Sequence, residues 1–214
     1  MKILAALSAL LSAAVFSGLT GAPVHADTSS DLLSRLIARA EHPRSYTASV
    51  HADVAMHSFP YISPQLDGTY YHKEPSRDKI IFTSGLPLIA KEFSKIYPHV
   101  ESPSRWHDVY IVSTEADDGK YTTFKLVPRK HGRIDHIDAR VDDQTADLVQ
   151  LRWVYNDGGY ATLNQRYGHV NGYDMVVEQQ GHVEVPHYNA DVTSTFSNFR
   201  TNASIPDSIF AGES

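Results

Sequence analysis

Ser45-Tyr46-Thr47-Ala48-Ser49-Val50-His51-Ala52-Asp53-Val54-Ala55-Met56-His57 is the stretch from which the rest of the fold is read. Tyr46, Ala48, Val50, Ala52, Val54 and Met56 fall on one face, and Thr47, Ser49, His51, Asp53 and His57 fall on the other. Only the two-residue period of a strand separates apolar from polar so cleanly. The strand is also more than twice the usual ~5–6 residues long. One apolar and one wet face mean an antiparallel sheet packed on one side only. Such a sheet covers its apolar face with helices, with itself, or with a ligand.

Upstream of this strand, residues 1–26 read as a cleaved leader. Lys2 gives a positive start, Ile3 to Leu19 is an apolar run, and Val24-His25-Ala26 places small residues where a signal peptidase cuts. Residues 27–214 are then expected as one exported domain, in the periplasm or another extracytoplasmic space. No cysteine is present among the 214 residues, which excludes disulfides, thiolate metal sites and thiol nucleophiles. The formal net charge of −6 becomes more negative once Lys2 is removed, arguing against nucleic acid as a partner. After the leader no segment is long and apolar enough to cross a bilayer, so an integral membrane protein is not expected.

Asp27 to Glu41 is predicted as a helix capped by Ser29 or Ser30 and stopped by His42-Pro43. Leu32, Leu33, Leu36, Ile37 and Ala40 form its apolar stripe, with Arg35 and Arg39 facing water. After the long strand, Leu66 to Lys73 and Arg77 to Thr83 read as a hairpin. Leu86 to Tyr97 reads as a second helix, opened by Pro87 and ended by Pro98. Strands follow at 106–115, 120–129, 133–142, 148–156, 160–167, 173–185 and 187–199, with a tail at 202–210 lying on the surface. The fold class is mainly β (α+β): about ten antiparallel strands and two or three helices. Two narrow helices cover the apolar face of so wide a sheet only if it curls around them, leaving a natural place for an apolar cavity.

Several segments resemble the periplasmic lipoprotein-carrier (LolA/LolB-like) superfamily. The first helix runs straight into Ser45-Tyr46-Thr47-Ala48-Ser49-Val50. Gly68-Thr69-Tyr70-Tyr71-His72-Lys73-Glu74-Pro75-Ser76-Arg77 looks like the family's G-x-y-x-x-K-x-P-x-R hairpin. Val141-Asp142 to Tyr155-Asn156-Asp157-Gly158-Gly159 and the closing Asn202 to Phe210 fit as well. The resemblance implies an open, curved antiparallel half-barrel with a helical lid over a hydrophobic cavity. It also implies lipid or lipoprotein acyl chains as ligand, with an envelope transporter or acceptor protein as a further partner. Arg44 and Arg77 are the nearest matches to the arginine that latches the lid in the best-known carriers.

A lipid site needs greasy walls more than polar groups, since each buried CH₂ contributes ~0.8 kcal/mol. The candidate wall is Val50, Val54, Met56, Leu86, Ile89, Phe93, Ile96, Tyr110, Phe124, Trp153, Tyr155 and Met175. No catalytic residue, metal ligand or cofactor is expected. The twelve histidines include same-face pairs with carboxylates (His51 with Asp53, His136 with Asp138, His182 with Glu184), but no His-Glu-x-x-His spacing occurs. Asp117-Asp118 and Asp142-Asp143 sit in turns, where Asp bonds its own backbone. A non-enzymatic carrier is the first reading. An envelope sensor on the same fold is the alternative, and a metal-dependent hydrolase the third.

Overall fold

A computed structural model describes residues 25–39, 43–59, 61–74, 77–83, 100–186 and 188–211, with side chains from Ser29 onward. The helix α1 spans His25–Arg39. It begins two residues earlier than the sequence predicts, so Ser29 and Ser30 lie inside it rather than capping it. The Ser34 hydroxyl spends its proton on the Ser30 carbonyl one turn back, at 3.0 Å. Residues 40–42 lie outside the described residues, as does the predicted second helix at Leu86 to Tyr97.

Strand β1 is Ser45–Met56 and alternates as predicted: Tyr46, Ala48, Val50, Ala52, Val54 and Met56 are all buried. The hairpin β2 (Gln65–Lys73) and β3 (Arg77–Phe82) pairs on one side of β1. Gly68 makes this pairing possible, because a Cβ there would sit 2.6 Å from the Ile81 carbonyl oxygen. No side chain is accommodated at that distance.

Chain 106–115 departs from the prediction of a continuous strand. A 3-10 turn at Pro103–Arg105 leads into a short helix, α2 (Trp106–Val109), and strand β4 starts only at Tyr110 and ends at Asp117. Proline opens helical turns well, and the turn drives Trp106 fully into the core. There its indole N–H donates to the Glu101 carbonyl at 2.8 Å. A buried indole needs such a partner; an extended chain would have turned it elsewhere.

The rest is a meander: β5 (Tyr121–Pro128), β6 (Ile134–Asp142), β7 (Leu148–Tyr155), β8 (Tyr160–Val170), β9 (Tyr173–Val185) and β10 (Tyr188–Thr201). Strand β8 runs three residues beyond its predicted end, to a two-residue turn at Asn171-Gly172, both with positive φ (52° and 86°). Asn-Gly is the strongest short hairpin signal, and it marks the true end of the strand.

The ten strands of the described residues form one antiparallel sheet in the order β3-β2-β1-β10-β9-β8-β7-β6-β5-β4. The first strand pairs with the last, and β3 and β4 remain as separate edges, so the sheet is open. Leu32, Leu33 and Leu36 of α1 pack on the inner face against a cluster that includes Phe124, Leu126, Ile137, Leu151 and Trp153. Each fully buried leucine contributes roughly 1.5–3 kcal/mol. A second, smaller cluster of Ala52, Val54, Met56, Leu66 and Ala190 fills the far end of β1.

One irregularity shapes the inner face. Between Ser49↔Ser197 and Thr47↔Arg200 the β1–β10 register gains a residue on β10, and Asn198 takes φ 53°. This is a β-bulge, and it reverses the face on which every later residue of the strand emerges. Phe196 and Phe199, three apart, therefore both project to the inner side.

Candidate functional site

Beside the cluster under α1, bordered by its Leu36, Ala146 and Leu151, lies a cavity of about 330 Å³. Leu36 and Arg39 of α1 border it from above, as do Val100 to Pro103, where the chain returns from the β3 edge. Its greasy walls are Tyr46, Tyr70, Phe196, Phe199, Leu151 and Val176, from β1, β2, β10, β7 and β9. The two phenylalanines reach it because of the bulge. Phe199 lies 6.3 Å from the Tyr46 ring, and Phe196 meets Tyr70 edge-on at 5.8 Å.

A polar chain runs through this wall. Tyr70 donates its hydroxyl proton to Asp78, and His72 Nδ1 lies 2.7 Å from the same carboxylate oxygen. The Tyr46 ring stacks on His72 at 4.9 Å, and its hydroxyl bonds that of Tyr70. Burial pushes both phenols above the usual tyrosine range, Tyr70 strongly so. Tyr167, also raised by burial, has its hydroxyl within hydrogen-bond distance of the Leu148 carbonyl (3.2 Å) and Gln165 Oε1 (3.1 Å), which share its single proton.

At the opposite end Arg39 fastens α1 to the sheet. Its Nε lies 2.7 Å from Asp147, in the β6–β7 turn, and its Nη1 lies 2.6 Å from Asp174, at the start of β9. The hydrogen bond to Asp147 raises the arginine's pKa still further. Arg35 adds a bond to the Asp143 carbonyl at 2.8 Å. The sequence places both arginines toward water; the β6–β7 turn instead rises to meet them. Arg77, a candidate latch, holds Asp207 in the C-terminal segment and lies over the Phe210 ring. Arg44 has an exposed side chain, and its carbonyl receives the Glu74 N–H.

The wall residues expected from sequence are placed as follows. Tyr110, Phe124, Trp153 and Tyr155 belong to the cluster under α1, where burial raises the Tyr155 phenol to about 12. Val54 and Met56 belong to the far cluster, and Val50 and Met175 are buried. None of these eight borders the cavity. Leu86, Ile89, Phe93 and Ile96 lie outside the described residues. Of the residues that do border it, Tyr46, Leu36 and Phe196 carry the inner-face pattern of their own elements. Phe199 does not, because its parity depends on the bulge.

The histidine–carboxylate pairs expected from sequence lie on the outer face. His51 bonds Asp67 and approaches Asp53, His57 and His182 share Asp191, and His136 lies between Asp135 and Asp138. Among the described residues no group of three or more such side chains is arranged to hold a metal ion. Asp117, Asp118 and Asp142 accept backbone N–H groups of their own turns.

No protein-family model matches the sequence, and no curated relative does. Solved structures do match in fold. A proposed outer membrane lipoprotein-sorting protein domain from Vibrio parahaemolyticus superposes with TM-score 0.59 at 11% identity, over 86% of this chain and 97% of that one. A DUF1329 family protein from Desulfovibrio piger gives 0.55 at 13% identity, over 89% and 98%. A LolA superfamily protein from Nitrosomonas europaea gives 0.53 at 11% identity, over 85% and 96%. The chain thus has the LolA-like fold, an open antiparallel half-barrel.

Proposed function

We propose that residues 27–214 form an exported, non-catalytic carrier or binding protein that holds a lipid or lipoprotein acyl chain in the cavity beneath α1. The observation that carries the reading is the aromatic and aliphatic wall around that space, bounded on its open side by a helix held through an ion pair. A volume of about 330 Å³ lies within the ~300–1,000 Å³ typical of small-molecule sites. Aromatic walls suit chains of varied shape, and at ~0.8 kcal/mol per buried CH₂ a few turns of acyl chain suffice for useful affinity. The leader at residues 1–26 and the names of the proteins sharing the fold support export and lipid handling. Delivery would be to an envelope transporter or acceptor. In this reading Tyr110, Phe124, Trp153 and Tyr155, packed under α1, are reached by ligand when α1 withdraws, and Val50, Val54, Met56 and Met175 are packing behind them.

Native mass spectrometry of the purified mature protein, followed by lipid extraction, tests the reading. Bound acyl lipid is expected, and Phe196→Asp should abolish it with the far-ultraviolet circular dichroism unchanged. A protein that carries no lipid and binds no fluorescent acyl probe would refute the carrier reading.

A further inference from the structure

The cavity wall is not uniformly apolar, and its polar part has a sign. We infer that the ligand's polar end is a hydrogen-bond donor (a hydroxyl, amide or ammonium group) seated against Asp78, and that the site selects against carboxylate-headed amphiphiles. The inference rests on the carrier reading and adds the head-group class.

Four polar side chains from three adjacent strands line one end of the space: Tyr46 on β1, Tyr70 and His72 on β2, and Asp78 on β3. Their hydrogens run one way. Tyr70 spends its only proton on Asp78, so its oxygen accepts from Tyr46, and the His72 Nδ1 against the same carboxylate carries hydrogen. Every proton in the chain points toward Asp78, which stabilises its charge from the protein side. The cations nearby are committed elsewhere. Lys73 and Arg77 both hold Asp207 at 2.7 and 3.0 Å, and Arg39 at the other end already faces Asp147 and Asp174. An incoming carboxylate would meet a charge of its own sign on a side chain only 29% exposed, beside buried Tyr46 and half-buried Tyr70, where solvent screens the repulsion only in part. A donor would meet an acceptor. Polar groups in an apolar wall cost desolvation unless they are used, and a head-group contact is a use that this geometry fits.

The test is a head-group series on one chain length. Dodecylammonium, monododecanoyl glycerol and dodecanoate, each below its micellar concentration, displace N-phenylnaphthylamine from the mature protein at neutral pH. The first two should compete at least about tenfold better than dodecanoate, a difference of the size expected for one desolvated charge contact. Asp78→Asn should bring dodecanoate within about twofold of the others, and the wild-type series alone remains decisive should that variant not fold. Dodecanoate competing as well as or better than the donor-headed pair would overturn the inference while leaving the carrier reading intact. Failure of all three to displace the probe would bring down the carrier reading, and the inference with it.

Discussion

Replacing Arg39 by Met keeps the length and apolar stem of the side chain and removes only the cation. Two charged hydrogen bonds disappear, to Asp147 at 2.7 Å and Asp174 at 2.6 Å. Such bonds contribute about 1.5–3 kcal/mol each when shielded. The Arg39 side chain is 32% exposed and Asp174 33%, whereas Asp147 is only 13% exposed. Solvent screening therefore discounts the Asp174 arm heavily and the Asp147 arm less, leaving about 1–3 kcal/mol in all. Because α1 is held otherwise by its leucines and by the bond from Arg35 to the Asp143 carbonyl, the loss should appear locally before it appears globally. Hydrogen exchange of α1 amides should accelerate by about ten- to hundredfold, at about 1.4 kcal/mol per decade, while β5 to β8 keep their protection. Adding Asp147→Asn to the variant should recover part of the loss, since an unpaired carboxylate is what Arg39→Met leaves behind. Urea unfolding within ~0.5 kcal/mol of wild type, together with unaltered exchange in α1, would refute the latch.

Three further outcomes are expected. Gly68→Ala should cost about 1–3 kcal/mol by pushing β2 from β3 at the Ile81 carbonyl; a neutral result in thermal melting would show that the hairpin yields freely. Trp106→Phe keeps the ring but orphans the Glu101 carbonyl, and should cost about 1–3 kcal/mol in urea unfolding, with no cost meaning that the indole bond is dispensable. Asp207 sits below the usual carboxylate range because Lys73, then Arg77, donate to it. Its folded pKa lies under the unfolded value of ~3.9, so its contribution is complete above that value and is lost as pH falls through the lower folded one. Amide resonances of residues 203–210 should therefore hold steady across neutral pH and move only below about pH 4; movement between about pH 5 and 7 would contradict the assignment.

Much of the architecture was legible because it is written in local periodicity. The alternation of β1, the hairpin around Gly68 and the turn chemistry of Asp118 and Asp142 each depend on residues a few positions apart. The candidate site was not, for the same reason. Tyr46 meets Phe199, and Arg39 meets Asp174, across more than a hundred residues of chain, and no short-range pattern encodes such a meeting. Apolar character alone could not separate Tyr155 and Trp153, which pack under α1, from Phe196 and Tyr70, which border the open space. Trp106 misled for a related reason: an aromatic ahead of Val109-Tyr110-Ile111-Val112 looks like more strand until Pro103 and the demand of its indole for a partner are weighed together.

The extra residue at Asn198 makes the chemistry of the cavity depend on a count of residues and not only on their kinds. Were the bulge ironed out with Asn198 kept in the regular strand, every residue after Ser197 in β10 would change sides. Phe199 would turn out to solvent, and Arg200 would swing in beside Tyr46. An aromatic, chain-accepting wall would become a cationic one without a single amino-acid replacement. Among proteins of this fold, then, a β1–β10 pairing that closes without the bulge would retune ligand preference abruptly, where point substitutions would proceed by degrees.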